Sequence, residues 1–396
     1  MSDPVLRIAA KGDGVTATGR HVPFGVPGDT VESDGRLTPG PHRATPPCRH
    51  FPECGGCQLQ HADEPALAQF VTQRVLFAAE SQGLSAREVL PVHLSPPRTR
   101  RRATLHGQRS GKGAVLGFRA EGSHHIVDMR ECHVLLPALF ALVAPLRALI
   151  AGWGSRAPVD VSLALTDQGV DCGLCGLAAE GLGPTEALLD FARAEGLARL
   201  SLDDGFGARA LWEPQPVTVT IGNVPVALPP GGFLQATADG ESMLSSDART
   251  SLTGARTIAD LFAGLGTFAF ALSPRAKVLA VEAAREAHLA CKAAAAASRR
   301  PVHALHRDLF RAPLQPAELD RFEAVLLDPP RAGARDQVAA LAAGTVPRIA
   351  YISCNPASWA RDAKVLVDAG YRLETVRPVG QFRWSTHVEL TSLFVR

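Results

Sequence analysis

Cys354 ends the apolar run "RIAYIS", and Asn355 and Pro356 follow it at once. A thiol at the lip of a strand, followed by an enforced turn, is held rigidly. A thiolate so held suits addition to carbon 6 of a uracil ring, which turns carbon 5 into a nucleophile for an electrophilic methyl group. A proton must then leave carbon 5, and that step needs a base. The stretch "STHVELTSLF" supplies His387 and Glu389 ahead of an apolar strand. Two-residue alternation leaves Glu389 facing either a crevice or solvent. The alternative for Cys354 is an inert apolar plug, which is the expectation for Cys291 in its Ala-rich helix.

Polar residues recur at successive strand ends. Asp260 with Gly264 and Gly266, Glu282, Asp308, Asp328 and Cys354 each close one apolar run. In a doubly wound sheet those ends form one crevice, where ligands bind. The loop "DLFAGLGTF" opens a helix but is neither a full G-x-G-x-x-G nor a P-loop, so a phosphate cradle is poorly supported. Glu282 lies 18 residues after Gly264, placed to accept both hydroxyls of a ribose. An adenosine ligand without phosphates points to S-adenosylmethionine rather than NAD. The alternative is a plain tight turn with Glu282 as a helix cap. Two prolines after Asp328, in "LLDPPR", stiff the loop against a flat substrate, and Arg331 in place of an aromatic speaks against N-methylation of adenine.

A third group is "PPCRHFPECGGCQLQH", which spaces Cys48, Cys54 and Cys57 as C-x5-C-x2-C. Thiolates so spaced suit an iron–sulfur cluster or zinc, and either needs a further ligand. His50 and the pair Cys172/Cys175 are available. In a regular strand those two cysteines point to opposite faces, so they read as core or incidental.

These residues need elements to position them. The chain has 396 residues, 46% apolar and 20% charged, with a net charge of +2. That size implies two or three domains, and the low net charge confines any nucleic-acid surface to a local patch. The best such patch is "PPRTRRRATLHGQR", with Arg98, Arg100, Arg101 and Arg102. No signal-peptide pattern and no apolar run of about 18 residues is visible, so a cytoplasmic chain without a membrane span is expected. Residues 1–40 read as short strands and 40–47 as a linker. Residues 63–84 read as a helix with Leu67, Phe70, Val71, Val75 and Phe77 near one face. From 96 to about 230 the pattern is mostly strand, with one helix in "GPTEALLDFARAEGL". The remainder alternates strand and helix, as an α/β doubly wound sheet does. "YRLETVRPV" and "HVELTSLFV" close it as edge strands.

In "FLQAT", "DLFAGLGTF", "VEA", "LLDPPR", "YISCNP" and "HVELTSLF", taken in order, the chain resembles the class I RNA uracil-5 methyltransferases. It resembles most the iron–sulfur-containing branch that modifies 23S ribosomal RNA, over nearly its whole length. The resemblance implies a Rossmann-like S-adenosylmethionine methyltransferase domain over 231–396 and a central β-rich RNA-binding domain over 96–230. It also implies a cluster loop with its helix over 41–95 and a reduced TRAM-like β segment over 1–40, with the barrel's later strands cut short. Cys354 would be the nucleophile and Glu389 the base. Gln235, Phe262, Gly264, Thr267, Glu282, Asp308 and Asp328 would line the S-adenosylmethionine site, Thr267 standing where the family often has Asn. Cys132 in "ECHVL" would join Cys48, Cys54 and Cys57 around a [4Fe-4S] cluster. The implied partner is RNA, 23S rRNA first, with no membrane and no obligate protein partner. The rival readings are the same chemistry on the tRNA T-loop and a cluster-bearing RNA-binding protein without catalysis.

Overall fold

The computed structural model describes residues 2–205 and 207–396. Five short strands between Asp3 and Thr38 form one antiparallel sheet, so the N-terminal segment runs through all five strands before the linker begins. Asp29, fully buried, ties that linker down. Its carboxylate accepts from the Val26 and Gly40 N–H groups, each at 2.8 Å, and pairs with Arg43.

The central region is a six-stranded sheet. In space its strands run Arg209–Trp212, Arg199–Asp203, Gly169–Cys175, Val159–Thr166, Arg102–Ser110 and Gly113–Gly117. The one parallel pair, Gly169–Cys175 with Arg199–Asp203, needs a crossover, and the helix Leu182–Ala194 supplies it. Two further helices, Pro137–Ala141 and Val143–Gly152, lie where the sequence reading has strand. Their stretch, "LLPALFALVAPLRALIAGW", is apolar nearly throughout, so its helical period is masked. Cys172 is buried and Cys175 exposed, as expected of core and incidental residues.

The catalytic sheet holds β1 (Thr257–Leu261), β2 (Lys277–Glu282), β3 (Val302–His306), β4 (Ala324–Leu327), β5 (Arg348–Ser353), β6 (Arg372–Gly380) and β7 (Glu389–Val395). Their order in space is β3-β2-β1-β4-β5-β7-β6. The first five are parallel, and β7 runs antiparallel to both β5 and β6. Every residue of β4 is buried, because helices cover both faces. The edge expectation for the last strand is corrected: β7 sits inside the sheet, and five of its seven residues are buried. Beyond β6, the segments Glu88–Val89 and His93–Leu94 add on in parallel.

The helix Glu64–Glu80 buries Leu67, Phe70, Val71 and Val75 against β6 and the helix Pro356–Asp368, whereas Phe77, expected on that face, is exposed because two residues past Val75 is more than half a turn away. Residues 64–95 thereby pack with the catalytic sheet. The hairpin Thr218–Ile221/Val224–Ala227 does likewise, under the helices Thr267–Leu272 and Arg285–Ser298.

Candidate active site

Strand order reverses between β1 and β4, and a crevice of about 1210 Å³ opens outside that point. Gln235, Phe262, Gly264, Thr267, Glu282, Asp308, Asp328, Cys354 and Glu389 all line it. The volume exceeds what one small ligand fills, so a methyl donor and a nucleobase fit side by side.

The cofactor end is built by the turn after β1. Phe262, Gly264 and Gly266 all have positive φ, at 66°, 56° and 89°. Glycine is required at 266, because a Cβ there would lie 2.8 Å from the Phe270 ring and 2.9 Å from Cys291 Sγ. Cys291 is the buried plug beneath that turn. Glu282, ending β2, braces the loop: Oε2 accepts from Gly264 N–H at 2.8 Å and Oε1 from Ala284 N–H at 2.6 Å. Each oxygen keeps a lone pair for a ribose hydroxyl. Asp308 Oδ1 accepts from Phe310 N–H at 2.9 Å, which sets the Phe310 ring 5.4 Å from Phe262. Asp260 lies fully buried below, and desolvation lifts its carboxyl to about 7.

The reactive end explains "SCNP". Asn355 caps the helix Pro356–Asp368, accepting from Ala357 N–H at 3.1 Å, and Pro356 occupies the first turn. The same side chain donates to Arg331 O at 2.9 Å, which fastens the Asp-Pro-Pro-Arg loop to Cys354. Burial, then the charges of Glu389 and Asp328, push the Cys354 thiol up to about 11, while Arg331 favours the thiolate. Because β7 is antiparallel, its first residue meets the carboxyl end of β5, with Leu390 opposite Ser353. Glu389 therefore faces the crevice and is buried, and desolvation lifts its carboxyl to about 7. Asp328 is raised well above the ordinary carboxylate range, first by burial and then by the charge of Glu389.

Three of the four patch arginines are engaged within the protein. Arg101 pairs with Glu241 and donates from Nε to Gln235 O at 3.0 Å. Arg102 donates to Leu234 O and lies 4.5 Å over the Phe233 ring. Arg100 lies between Phe118 and Phe382, at 5.5 and 5.6 Å. These half-buried side chains join the central domain to the crevice, and Arg98 alone of the four is exposed. Sequence reasoning missed Phe233 and Phe310, exposed rings on the crevice wall, and Gln381, which is buried behind it. An aromatic residue just after a strand-end Asp was the available signal for Phe310. Gln381 offered none.

Cys48, Cys54, Cys57 and Cys132 line one small cavity with His50 and Glu131. Among the described residues no group of three or more His, Cys, Asp or Glu side chains is arranged to hold a metal ion. Burial raises all four thiols, Cys57 to about 12, and neighbouring cysteines add to the effect at Cys48, Cys54 and Cys57. A second cavity lies between this loop and Cys354, lined by Gly55, Gly56, Arg100, Arg102, Phe118 and Phe382 among others.

Residues 229–396 match the family model described as tRNA (Uracil-5-)-methyltransferase. An uncharacterized RNA methyltransferase of Zymomonas mobilis is 48% identical, with 99% of each chain covered. The 23S rRNA (uracil(1939)-C(5))-methyltransferase of Chromohalobacter salexigens is 34% identical over 91% of this chain and 78% of its own. Among solved structures, the Pyrococcus abyssi tRNA (uracil-54, C5)-methyltransferase in complex with S-adenosyl-L-homocysteine matches with a TM-score of 0.73. It is 22% identical, with 100% of both chains covered, and shares the fold. Crevice, family model and relatives agree: the chain is an S-adenosylmethionine-dependent RNA methyltransferase and belongs to the RNA (uracil-5-)-methyltransferase family.

Proposed function

We propose that the chain methylates carbon 5 of a uridine in 23S rRNA through a covalent Cys354–carbon 6 adduct. The observation that carries this reading is the convergence of Cys354, Glu389 and the Gly264–Glu282 loop on one crevice. S-adenosylmethionine, which Phe262, Gly264, Thr267, Glu282 and Asp308 would hold, would supply an electrophilic methyl group to carbon 5 and leave as the neutral thioether S-adenosylhomocysteine. Cys354 loses its proton to water in the open crevice, helped by the Arg331 charge. Sγ then bonds to carbon 6, and the ring electrons move onto the carbon 4 oxygen. Gln235 and Asp328, whose neutral, donating form burial favours, stabilise that oxygen. Once carbon 5 carries the methyl group, Glu389 removes its proton. The carbon 5–carbon 6 double bond reforms, and the Sγ–carbon 6 bond breaks to release thiolate.

Ribosomal RNA is favoured by the Chromohalobacter relative's assigned substrate and by the four clustered cysteines. In the same reading Cys48, Cys54, Cys57 and Cys132 hold a [4Fe-4S] cluster. Four clustered thiols, all raised by burial, suit a cationic cluster, which favours the thiolates. It would staple the loop 48–57 to Cys132 beside the crevice, with no electron entering the reaction. The five-stranded N-terminal sheet serves as a reduced TRAM-like module for RNA docking. The rival target is the tRNA T-loop: the Pyrococcus enzyme is named for uracil-54 of tRNA, and the family model's description names tRNA. Mass-spectrometric mapping of 5-methyluridine in a deletion strain decides: loss from 23S rRNA is expected, and loss from tRNA alone contradicts the rRNA assignment.

A further inference from the structure

Gln381 follows the last residue of β6, where β6 runs beside the start of β7, with Val379 opposite Glu389. Its side chain is buried and makes three contacts. Oε1 accepts from Thr237 N–H at 3.3 Å. Nε2 donates to Gln235 Oε1 at 2.9 Å and also to Glu389 Oε2. The assignment follows from what each group can do. A backbone N–H only donates, so the atom facing Thr237 is the oxygen. The nitrogen that faces the other two carries two hydrogens and accepts nothing, so Gln235 must meet it with its own oxygen.

Gln381 is also fixed in place. A Cβ at Gly240 would lie 2.9 Å from Gln381 Cβ and 3.0 Å from its Oε1, so the side chain has no room to swing there. Thr237 caps the helix Ala238–Ser251 through Gly240 N–H at 3.0 Å, and its hydroxyl lies 2.9 Å from Ser95 Oγ. The Gln235 main chain is held by Arg101. Gln235 Nε2, without a protein partner among the described residues, is left toward the crevice.

We infer that Gln381 is a positioning residue that sets the hydrogen-bond polarity of the base pocket. By taking the Gln235 oxygen it makes Gln235 present N–H donors, matched to the carbonyl at ring position 4 of uracil and mismatched to the amino group of cytosine. By donating to Glu389 it keeps that carboxylate an acceptor aimed at the carbon 5 proton. The inference deepens the proposed reaction and rests on it. Glu389 is otherwise faced by Arg102 from the central sheet, Asp328 at the end of β4 and Cys354 after β5.

The test uses the full-length protein with labelled S-adenosylmethionine and unmodified transcripts of 23S rRNA and tRNA. The same transcripts are then made with cytidine at the mapped position. Gln381→Met keeps the volume and frees Gln235 to turn over. Its preference for uridine over cytidine should fall about tenfold or more. The acid limb of uridine methylation should also move up by about one pH unit, because Glu389 loses a donor. Gln235→Glu keeps the acceptor that Gln381 needs and presents an acceptor to the base. It should raise cytidine methylation relative to uridine about tenfold. A preference within about twofold of wild type in either folded variant overturns the inference. If Gln381→Met does not fold by circular dichroism, Gln235→Glu decides alone. A wild type that methylates no uridine in either transcript overturns the reaction itself, and the inference with it.

Discussion

At the scale of single residues, burial raises two carboxyls within one crevice. Asp328 is raised well above the ordinary carboxylate range, and Glu389, at about 7, is divided between its two forms at neutral pH. The rate of the proton-removal step should therefore rise as pH passes from about 6 to 8, read by single-turnover methylation. Glu389 also carries a stability consequence. Its folded pKa is raised above the ordinary value, so the folded state binds more protons than the unfolded one between about 4.5 and 7. Its favourable contribution is full below that window and is lost as pH rises through it. Glu389→Gln should thus stabilise the protein at pH 8 by up to about 2–3 kcal/mol, in denaturant titrations, with the gain vanishing near pH 4.5. A variant equally stable at both pH values would contradict the buried-carboxylate reading.

Among the elements, one strand has most effect on the chemistry. Insertion of β7 antiparallel between β5 and β6 brings its first residue to the edge where the parallel strands end. The glycine turn after β1 meets the opposite constraint, since it must approach the cofactor closely. Gly266→Ala should weaken S-adenosylmethionine binding by about tenfold or more in calorimetry, because the left-handed backbone and the Phe270 and Cys291 contacts both reject a methyl group. On the sheet's flank, Phe70→Ala should cost about 3–5 kcal/mol of unfolding free energy, since Phe70 is fully buried against β6 and its neighbours. The five parallel strands and their polar ends were legible in sequence, because apolar runs closing in Asp, Glu or Cys carry both period and function. The place of β7 was not. Sequence shows an apolar strand, and neighbour order depends on long-range pairing that no local pattern records. That is also why periodicity left the facing of Glu389 open. The central helices were hidden by a run apolar on every side, and the inward turn of Arg101 and Arg102 depends on Glu241 and Leu234, more than 130 residues away.

Across the whole molecule, three regions meet around Cys354. The cysteine loop contributes Gly55 and Gly56, the central sheet Arg100 and Arg102, and the catalytic sheet Cys354 and Glu389. The loop therefore forms part of the cavity wall beside Cys354 while standing apart from the glycine turn. Cys132→Ser should abolish bound iron and acid-labile sulfide in anaerobically purified protein and weaken RNA binding. S-adenosylmethionine affinity should stay within about twofold of wild type. Iron retained in full by Cys132→Ser would contradict the four-cysteine ligand set. With a net charge of only +2, RNA affinity rests on these local contacts more than on a general field.

The central claim is that Cys354 bonds to the pyrimidine and that Glu389 resolves the adduct. The most direct measurement incubates Glu389→Gln with RNA and labelled S-adenosylmethionine, separates the products on a denaturing gel and maps the cross-linked peptide by mass spectrometry. The expected result is a methylated nucleotide joined through its ring to Cys354, and no adduct when Cys354→Ala is added. An adduct at another residue, or methylation that persists in Cys354→Ala, would contradict it.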